Sequence, residues 1–443
     1  MTPLRWLTAS VNCWLTLRAA YGTPVDVGNV ILKSEPEMQV EFLDASDRLL
    51  AWCRDAALPF WASKGVDAKG RFIECASAQG LAEIDVRRRV RVQFRQVYAF
   101  DHAHVLGFGS GLKKVADRGM QRALADSFFQ DDTSREHGCA LLLEPDGTVA
   151  DETRDLYTQS FYLLALAWRY RVTGDAAWLE AADRHIGFLE REMASPHGGY
   201  IESLSAHLPR RQNPHMHLFE AFLALHQISG QTKYLNLAQR MFDLFEAHFF
   251  DARTFCVTEY FTQDWRPDPQ LKELIEPGHM MEWAWLIHNF GKRCGRDYGA
   301  YVRGLYDKAR EIGTDAASGL LIDEVRSDGT FGCGARRSWP QTEYLKAALV
   351  LAEEGHETAL GQAAFIINAL LDTYLNTPVP GIWRDAYDAD GAATPAPAQA
   401  STFYHYMAAI GEVVRVSEAL RAQPGAFPAP RSRDNAGRLR AGS

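Results

Sequence analysis

The absences in this 443-residue sequence narrow it before any motif does. Cys13, Cys53, Cys75, Cys139, Cys256, Cys294 and Cys333 are scattered with no Cys-x-x-Cys spacing. An odd, dispersed set reads as reduced thiols in a cytoplasmic protein rather than a disulfide framework. No apolar run approaches the roughly 20 residues that span a bilayer, so no membrane partner is expected. Long basic runs are missing as well. Arg210-Arg211 and Arg336-Arg337 are isolated pairs, expected to be solvated, and a net charge of −9 argues against nucleic acid. There is no Gly-x-x-x-x-Gly-Lys-Ser/Thr phosphate loop, no strand–Gly-x-Gly-x-x-Gly–helix unit and no Gly-x-Ser-x-Gly elbow.

The two ends carry little pattern. Trp6 to Leu17 is moderately apolar, but Thr8, Ser10, Asn12 and Thr16 interrupt it and no clean small-residue cleavage site follows. Residues 1–39 are expected to be a disordered extension and residues 423–443 a disordered tail. The body, residues 40–422, is expected to be one helical domain.

From Met38 onward the periodicity is helical and repeats. Each unit is an apolar, aromatic-rich helix, a glycine-containing turn and a more polar amphipathic helix. The turns at Gly174, Gly230, Gly295 and Gly355 are 56, 65 and 60 residues apart. Pro214, Pro277 and Pro340 open the first helices of successive units at spacings of 63 and 63, and proline suits a first helical turn. Asn213 is expected to cap the helix at Pro214. Six helical hairpins are expected, each burying its apolar face on its neighbours. The longer segments between units, such as Gly198–Glu202 and Leu320–Asp323, look strand-like and are expected on one face of the array.

Polar side chains cluster just inside these helix starts: His217 and Glu220, His279 and Glu282, Gln341 and Glu343, then His405. His405 lies two residues after Phe403, as His279 lies two after Pro277, and Phe403 is again 63 residues beyond Pro340. Two histidines in one register point into one shared cavity if the array closes. Imidazole has the pKa for proton transfer at neutral pH. Arg95 sits among apolar residues, where a guanidinium needs an anionic or hydroxyl-rich partner. Trp339, Trp383 and Tyr404 supply aromatic faces suited to a sugar ring. His215-Met-His217 and His102-Ala-His104 have no supporting Cys or Asp cluster, so no metal is expected.

Several segments together resemble the N-acylglucosamine 2-epimerase superfamily, which also contains cellobiose 2-epimerases, mannose isomerases and sulfoquinovose isomerases. They are Arg95-Gln-Val-Tyr98, Asn213-Pro-His-Met-His217-Leu-Phe-Glu220, Pro277-Gly-His279-Met-Met-Glu282-Trp283, Trp339-Pro-Gln-Thr-Glu343 and Phe403-Tyr-His405. The resemblance implies an all-α (α/α)6 barrel with short β-hairpins in the loops at one face, and no cofactor. It implies His279 and His405 as acid/base residues and Arg95 as the group that stabilises an enediolate oxygen. Asn213, His217, Glu220, Glu282, Trp339, Gln341, Glu343 and Tyr98 are implied around the sugar, with Glu282 orienting the histidine or the substrate.

The Glu282-Trp283 ending is more similar to the mannose-isomerase branch, so an aldose–ketose isomerase acting on D-mannose or a close relative is expected. A 2-epimerase of an N-acylhexosamine or of cellobiose is the alternative. Further off stands an inverting glycoside hydrolase using two of Glu282, Glu343 and Asp385, whose carboxyls should then be about 6.5–9.5 Å apart. A small sugar is the expected partner, and a homodimer is compatible with the sequence.

Overall fold

The computed structural model describes residues 35–129, 135–332 and 334–422. Its first helix, α1 (Pro36–Trp52), starts four residues before the expected boundary, with proline in its first turn. The rest of the predicted extension, the whole predicted tail and Cys333 lie outside the described residues. A π-turn over Cys53–Ala57 carries α1 into the short α2 (Leu58–Ser63). The chain then alternates: α3 (Val90–Val105), α4 (Leu112–Asp126), α5 (Leu156–Thr173), α6 (Ala177–Phe188), α7 (Gln212–Ser229), α8 (Thr232–Leu244), α9 (Pro277–Cys294), α10 (Gly299–Gly313), α11 (Ser338–Glu353), α12 (Ala359–Ala369) and α13 (Phe403–Ala422).

Helices α3, α5, α7, α9, α11 and α13 form an inner ring, each packed on the next, with α13 returning onto α3. The outer helices α4, α6, α8, α10 and α12 each pack on the inner helix of their own hairpin. The sixth outer place is filled from the far end of the chain, because α1 packs against α12 and α13. Composition assigns the layers. Inner α11 is buried on nearly every face, from Ser338 to Ala352, whereas α8 buries only Tyr234, Ala238, Met241, Phe242 and Leu244 along one stripe. Gly174, Gly230 and Gly295 end α5, α7 and α9 in the left-handed conformation, with φ of 68°, 71° and 67°. These are three of the four turn glycines expected from the sequence. The apolar core fills the space between the layers. There Trp283 is fully buried against Phe219 and Phe245, and its indole N–H donates to Gln212 Oε1 at 2.7 Å.

The loops before the inner helices gather at one end. Their strands are only two or three residues long and pair across units. Cys75–Ala76 pairs with Ala398–Gln399, Arg210–Arg211 with Tyr260–Phe261, and Arg336–Arg337 with Ala386–Tyr387. Leu320–Asp323 makes a single bridge, Thr314 with Leu321, rather than the expected strand.

The arginine pairs are not solvated as expected. Together with Arg88-Arg89 they form a device repeated in alternate units, 122 and 126 residues apart. The first arginine of each pair is buried and donates into a loop: Arg88 to Pro145 O, Arg210 to Tyr200 O, and Arg336 to Asp315. In each pair, one carboxylate takes both the backbone N–H and the guanidinium of the second arginine. Glu74 does this for Arg89, Glu202 for Arg211 and Asp323 for Arg337. The three carboxylates are themselves buried, and a buried carboxylate needs such pairing to be tolerated.

Five residues after the first arginine, a side chain grips the backbone of one residue in the preceding loop. Gln93 bonds both N and O of Phe72, Gln341 both N and O of Leu321, and His215 the N–H of Tyr200. Gln341 is therefore a loop brace and is corrected from its expected place beside the sugar: both ends of its amide are occupied away from the cavity.

Candidate active site

Seven residues after each buried arginine, the inner helices turn a side chain to the barrel axis: Arg95, His217 and Glu343. They are the sixth residues of α3, α7 and α11, and Phe161 and Glu282 hold that place in α5 and α9. In the last unit the 3-10 turn Ala400–Thr402 leads directly into α13, and the sixth residue from Ala400 is His405. The contacts run round the ring. The Arg95 guanidinium lies 4.0 Å from the Phe161 ring centre, Phe161 is 4.7 Å from His217, and His217 Nδ1 is 3.9 Å from Glu282. Glu282, Glu343 and His405 bring ligand atoms within 4.8 Å of one another. All six side chains are buried, and they make the floor of the barrel's open end.

Four residues earlier, on the same helix face, stand Arg91, Tyr157, Asn213, Gly278, Trp339 and Ser401. All but Gly278 are partly exposed and form the mouth. A Cβ at Gly278 would come within 2.8 Å of the Trp339 indole, so the missing side chain lets that ring lie across α9. Trp339 thereby rests against both histidines, 5.2 Å from His279 and 5.2 Å from His405. The 63-residue proline register does not make these histidines equivalent. His405 shares its neighbours with Glu282, one turn below His279, because the turn at Ala400–Thr402 starts the last helix early. Helix α7 likewise begins at Gln212, so Asn213 lies inside its first turn and does not cap it.

The environments of the two histidines drive them apart in pKa, which is how one site obtains both a base and an acid. His405 Nδ1–H donates to Glu343 Oε1 at 2.8 Å, which leaves the Nε2 lone pair free. Burial, with Arg95 and Lys346 nearby, holds His405 well below its usual value, so the ring is neutral. Glu343 does not reverse this, because the Lys346 ammonium sits 2.5 Å from its other oxygen. Burial also opposes charge on His279, but Glu259 and Glu276 outweigh it and push the imidazole up to about 10. Its Nδ1–H donates to Glu259 at 2.9 Å, and Glu276 is 3.7 Å away. Asn213 Nδ2 lies 3.0 Å from Nε2, and a doubly protonated ring is matched there when the Asn213 amide is turned to present its oxygen.

A neutral base is present at every pH above the depressed value of His405, and the cationic acid is lost as pH rises through about 10. The kcat/KM profile is therefore expected to be flat across neutral pH, and a fall near 10 would mark turnover that needs the cationic His279. Glu259→Gln removes the nearest stabilising charge and should move that alkaline limb down by about one pH unit or more. An unmoved limb would assign it to another group.

Beneath the floor, Lys346 is fully buried between Glu343 and the Trp285 ring, 3.8 Å from its ammonium. Burial works against its charge, but Glu343, Glu282 and Glu220 together keep its pKa above the ordinary value. Glu282 has no hydrogen bond at either oxygen. Burial, with Glu343 adding, holds its pKa well above the carboxylate range, and Lys346 opposes that rise. His217 is lowered to about 4 by burial, and its Nδ1–H donates to Glu220, which also accepts from Tyr404 OH. Three sets of ligand atoms lie close enough for a cation: His217/Glu220/Glu282, Glu259/Glu276/His279 and Glu282/Glu343/His405. The Lys346 ammonium already serves Glu220, Glu282 and Glu343 as counter-charge.

Of the residues expected around a sugar, Arg95, His217, Glu282, Glu343, His405, Asn213, His279 and Trp339 do converge. Glu282 sits with His217 and Glu343 and makes no hydrogen bond to His279. Tyr98 lies outside the cavity: its hydroxyl bonds His102 Nδ1 at 3.0 Å and its ring packs under Tyr404. Trp383 is core, stacked 4.8 Å from Trp61. Glu220 is reached only through His217 and Tyr404.

Sequence reading missed Glu259 and Glu276, which arrive from a loop and from the residue before α9. It also missed Lys346, although one lysine inside Tyr344-Leu-Lys346-Ala-Ala-Leu-Val350 was a signal, since lysine is not buried without a partner.

A closed double ring of helices, with a neutral histidine, a cationic histidine and an arginine that has no carboxylate partner among the described residues at its open end, defines an (α/α)6-barrel enzyme of the isomerase and epimerase class. The chain belongs to the N-acylglucosamine 2-epimerase family, which residues 71–409 match. It is 36% identical over 380 residues to a mannose-6-phosphate isomerase from Rhizobium meliloti, covering 82% of this chain and 95% of the relative. It is 25% identical over 389 residues to a D-mannose isomerase from Marinomonas mediterranea, covering 82% and 95%. Among solved structures, cellobiose 2-epimerase from Spirochaeta thermophila has the same fold, with a TM-score of 0.76 and 21% identity over 86% of this chain and 98% of that one. Among the described residues no helix is long and apolar enough to cross a membrane.

Proposed function

We propose that the protein interconverts an aldose and its ketose, D-mannose and D-fructose or a close relative, through a cis-enediolate. The carrying observation is His405. Its Nδ1 is tied to Glu343, Nε2 is free, and its pKa is held low beside a guanidinium with no carboxylate partner among the described residues. In the open-chain aldose the aldehyde acidifies the C2 proton. His405 Nε2 takes that proton, and the electron pair moves into the C1–C2 bond and onto O1, where Arg95 supports the oxyanion. His405 Nε2 then delivers a proton, open to exchange with solvent while it sits on the ring, to C1, and the O2 hydroxyl proton passes to O1; C2 is left as the carbonyl and C1 as the hydroxymethyl group of the ketose. Both curated relatives named above carry mannose in their names, which supports this sugar.

The 2-epimerase reading has one observation of its own, the cationic His279, an acid that can return a proton to the other face of C2. Against hydrolysis, Glu282 and Glu343 bring oxygens within 4.8 Å of each other, too close for the inverting spacing, and Asp385, the third carboxyl considered, accepts from the Thr402 hydroxyl at 3.3 Å.

Incubation with D-mannose, N-acetylmannosamine and cellobiose in deuterated water, followed by NMR, tests the reading. Deuterium at C1 of fructose is expected. A C2-labelled epimer without ketose would transfer the assignment to the epimerase, and no exchange on any sugar would sink both.

A further inference from the structure

We infer that Arg91 anchors a subsite for a phosphate monoester carried by the sugar, at the end of its chain away from C1 and C2. This rests on the isomerase reading of the floor, but it stands on different residues. Arg91 is the second residue of α3 and therefore belongs to the mouth, beside Tyr157 and Ser401 and one turn above Arg95. Its guanidinium carbon is 5.1 Å from the Tyr157 ring centre, and those of Arg95 and Arg211 are 5.4 and 5.9 Å from the same ring. Three guanidinium groups thus surround one phenol.

Their partners differ. Arg211 is clasped by Glu202, as Arg89 is by Glu74 and Arg337 by Asp323. Arg95 donates to Tyr157 OH at 2.7 Å and to Ser401 O at 3.4 Å, while its Nε is buried without a partner. Arg91 makes no hydrogen bond or ion pair with any described residue, its ring contact with Tyr157 aside. Burial lowers its pKa to about 10, and the Arg89 and Arg95 charges press the same way. Asp155 is the carboxylate that bears on it, and it is engaged in capping α5 through Thr158 N–H at 3.2 Å.

A neutral sugar leaves this excess of positive charge unanswered. A phosphate dianion answers it, because its oxygens match the planar donor fork of arginine. Arg91 and Arg95 are separated by one helical turn, about 6 Å along the axis. That is comparable with the reach of an extended hexose from C2 to C6, so C2 at the floor places a 6-phosphate at the mouth.

The test compares kcat/KM for D-mannose 6-phosphate and D-mannose in the wild-type chain and in Arg91→Gln, with calorimetric binding of inorganic phosphate to both. The wild type should favour the phosphorylated sugar, and Arg91→Gln should reduce that preference by about 50-fold, mainly through KM, with Arg91→Lys in between. Phosphate binding should weaken in parallel, with thermal melting showing that the variants fold. Equal use of the two sugars by the wild type, or a preference unchanged in Arg91→Gln, would overturn the subsite. Arg91-dependent phosphate binding without isomerisation of either sugar would sink the isomerase reading and leave the subsite standing. Turnover of free mannose without phosphate binding would do the reverse.

Discussion

His405→Asn is expected to lower kcat by about 10³-fold or more, at the upper part of the range for loss of a general base, and to abolish deuterium wash-in at C2. Three features make the loss large. Nε2 is the unbonded nitrogen of a ring whose other nitrogen is fixed by Glu343, so the lone pair has one direction. The ring is neutral at working pH. The cationic His279 cannot replace it as a base. The fold should survive, since Glu343 keeps its ion pair with Lys346 and an asparagine amide can still donate to Glu343. Melting within a few degrees of wild type, together with the kinetic loss, is the expected pair of results. A kcat within tenfold of wild type would remove His405 from the base role.

Lys346→Met should be the most damaging single change to stability, at about 3–5 kcal/mol, the usual effect of removing one partner from a buried ion pair. Its ammonium is the buried cation facing Glu343, Glu282 and Glu220, and methionine supplies only the volume. The loss should depend on pH with a definite sign. Glu282 and Glu343 already have raised pKa values in the folded protein, chiefly through burial, and Lys346 opposes that rise. Without it both values climb further.

A carboxyl whose folded pKa is raised contributes stability that is present below its unfolded value, about 4.3, and lost as pH rises through the folded value. Urea unfolding should therefore show a larger deficit for Lys346→Met at pH 8 than at pH 5.5. Adding Glu343→Gln should recover part of the stability but not the activity, because Nδ1 of His405 then loses its anionic partner. An equal deficit at both pH values would mean that the three carboxyls do not share Lys346 as their counter-charge.

Much of this protein was determined by sequence alone, and the physical reasons are local. The hairpin repeat was legible because a helix buried on all faces differs in composition from one buried on a stripe, and because glycine marks the turns at 174, 230 and 295. The six-unit barrel and the gathering of Arg95, His217, Glu282, Glu343 and His405 followed from repeated motifs of matching resemblance. What failed was register and orientation. A 63-residue spacing of prolines placed His279 and His405 at one level, yet a 3-10 turn over Ala400–Thr402 shifts the last helix by most of a turn.

Gln341 and Tyr98 share motifs with residues of the cavity, but their polar ends turn to Leu321 and His102. Only the tertiary structure could decide that, since neighbours on one helix diverge by about 100° per residue. The same holds for charge. Two histidines of identical intrinsic pKa become base and acid because Glu259 and Glu276 arrive beside one, while burial, Arg95 and Lys346 act on the other. Closure of the inner ring, with α13 packed back on α3, brings the two environments to a single mouth.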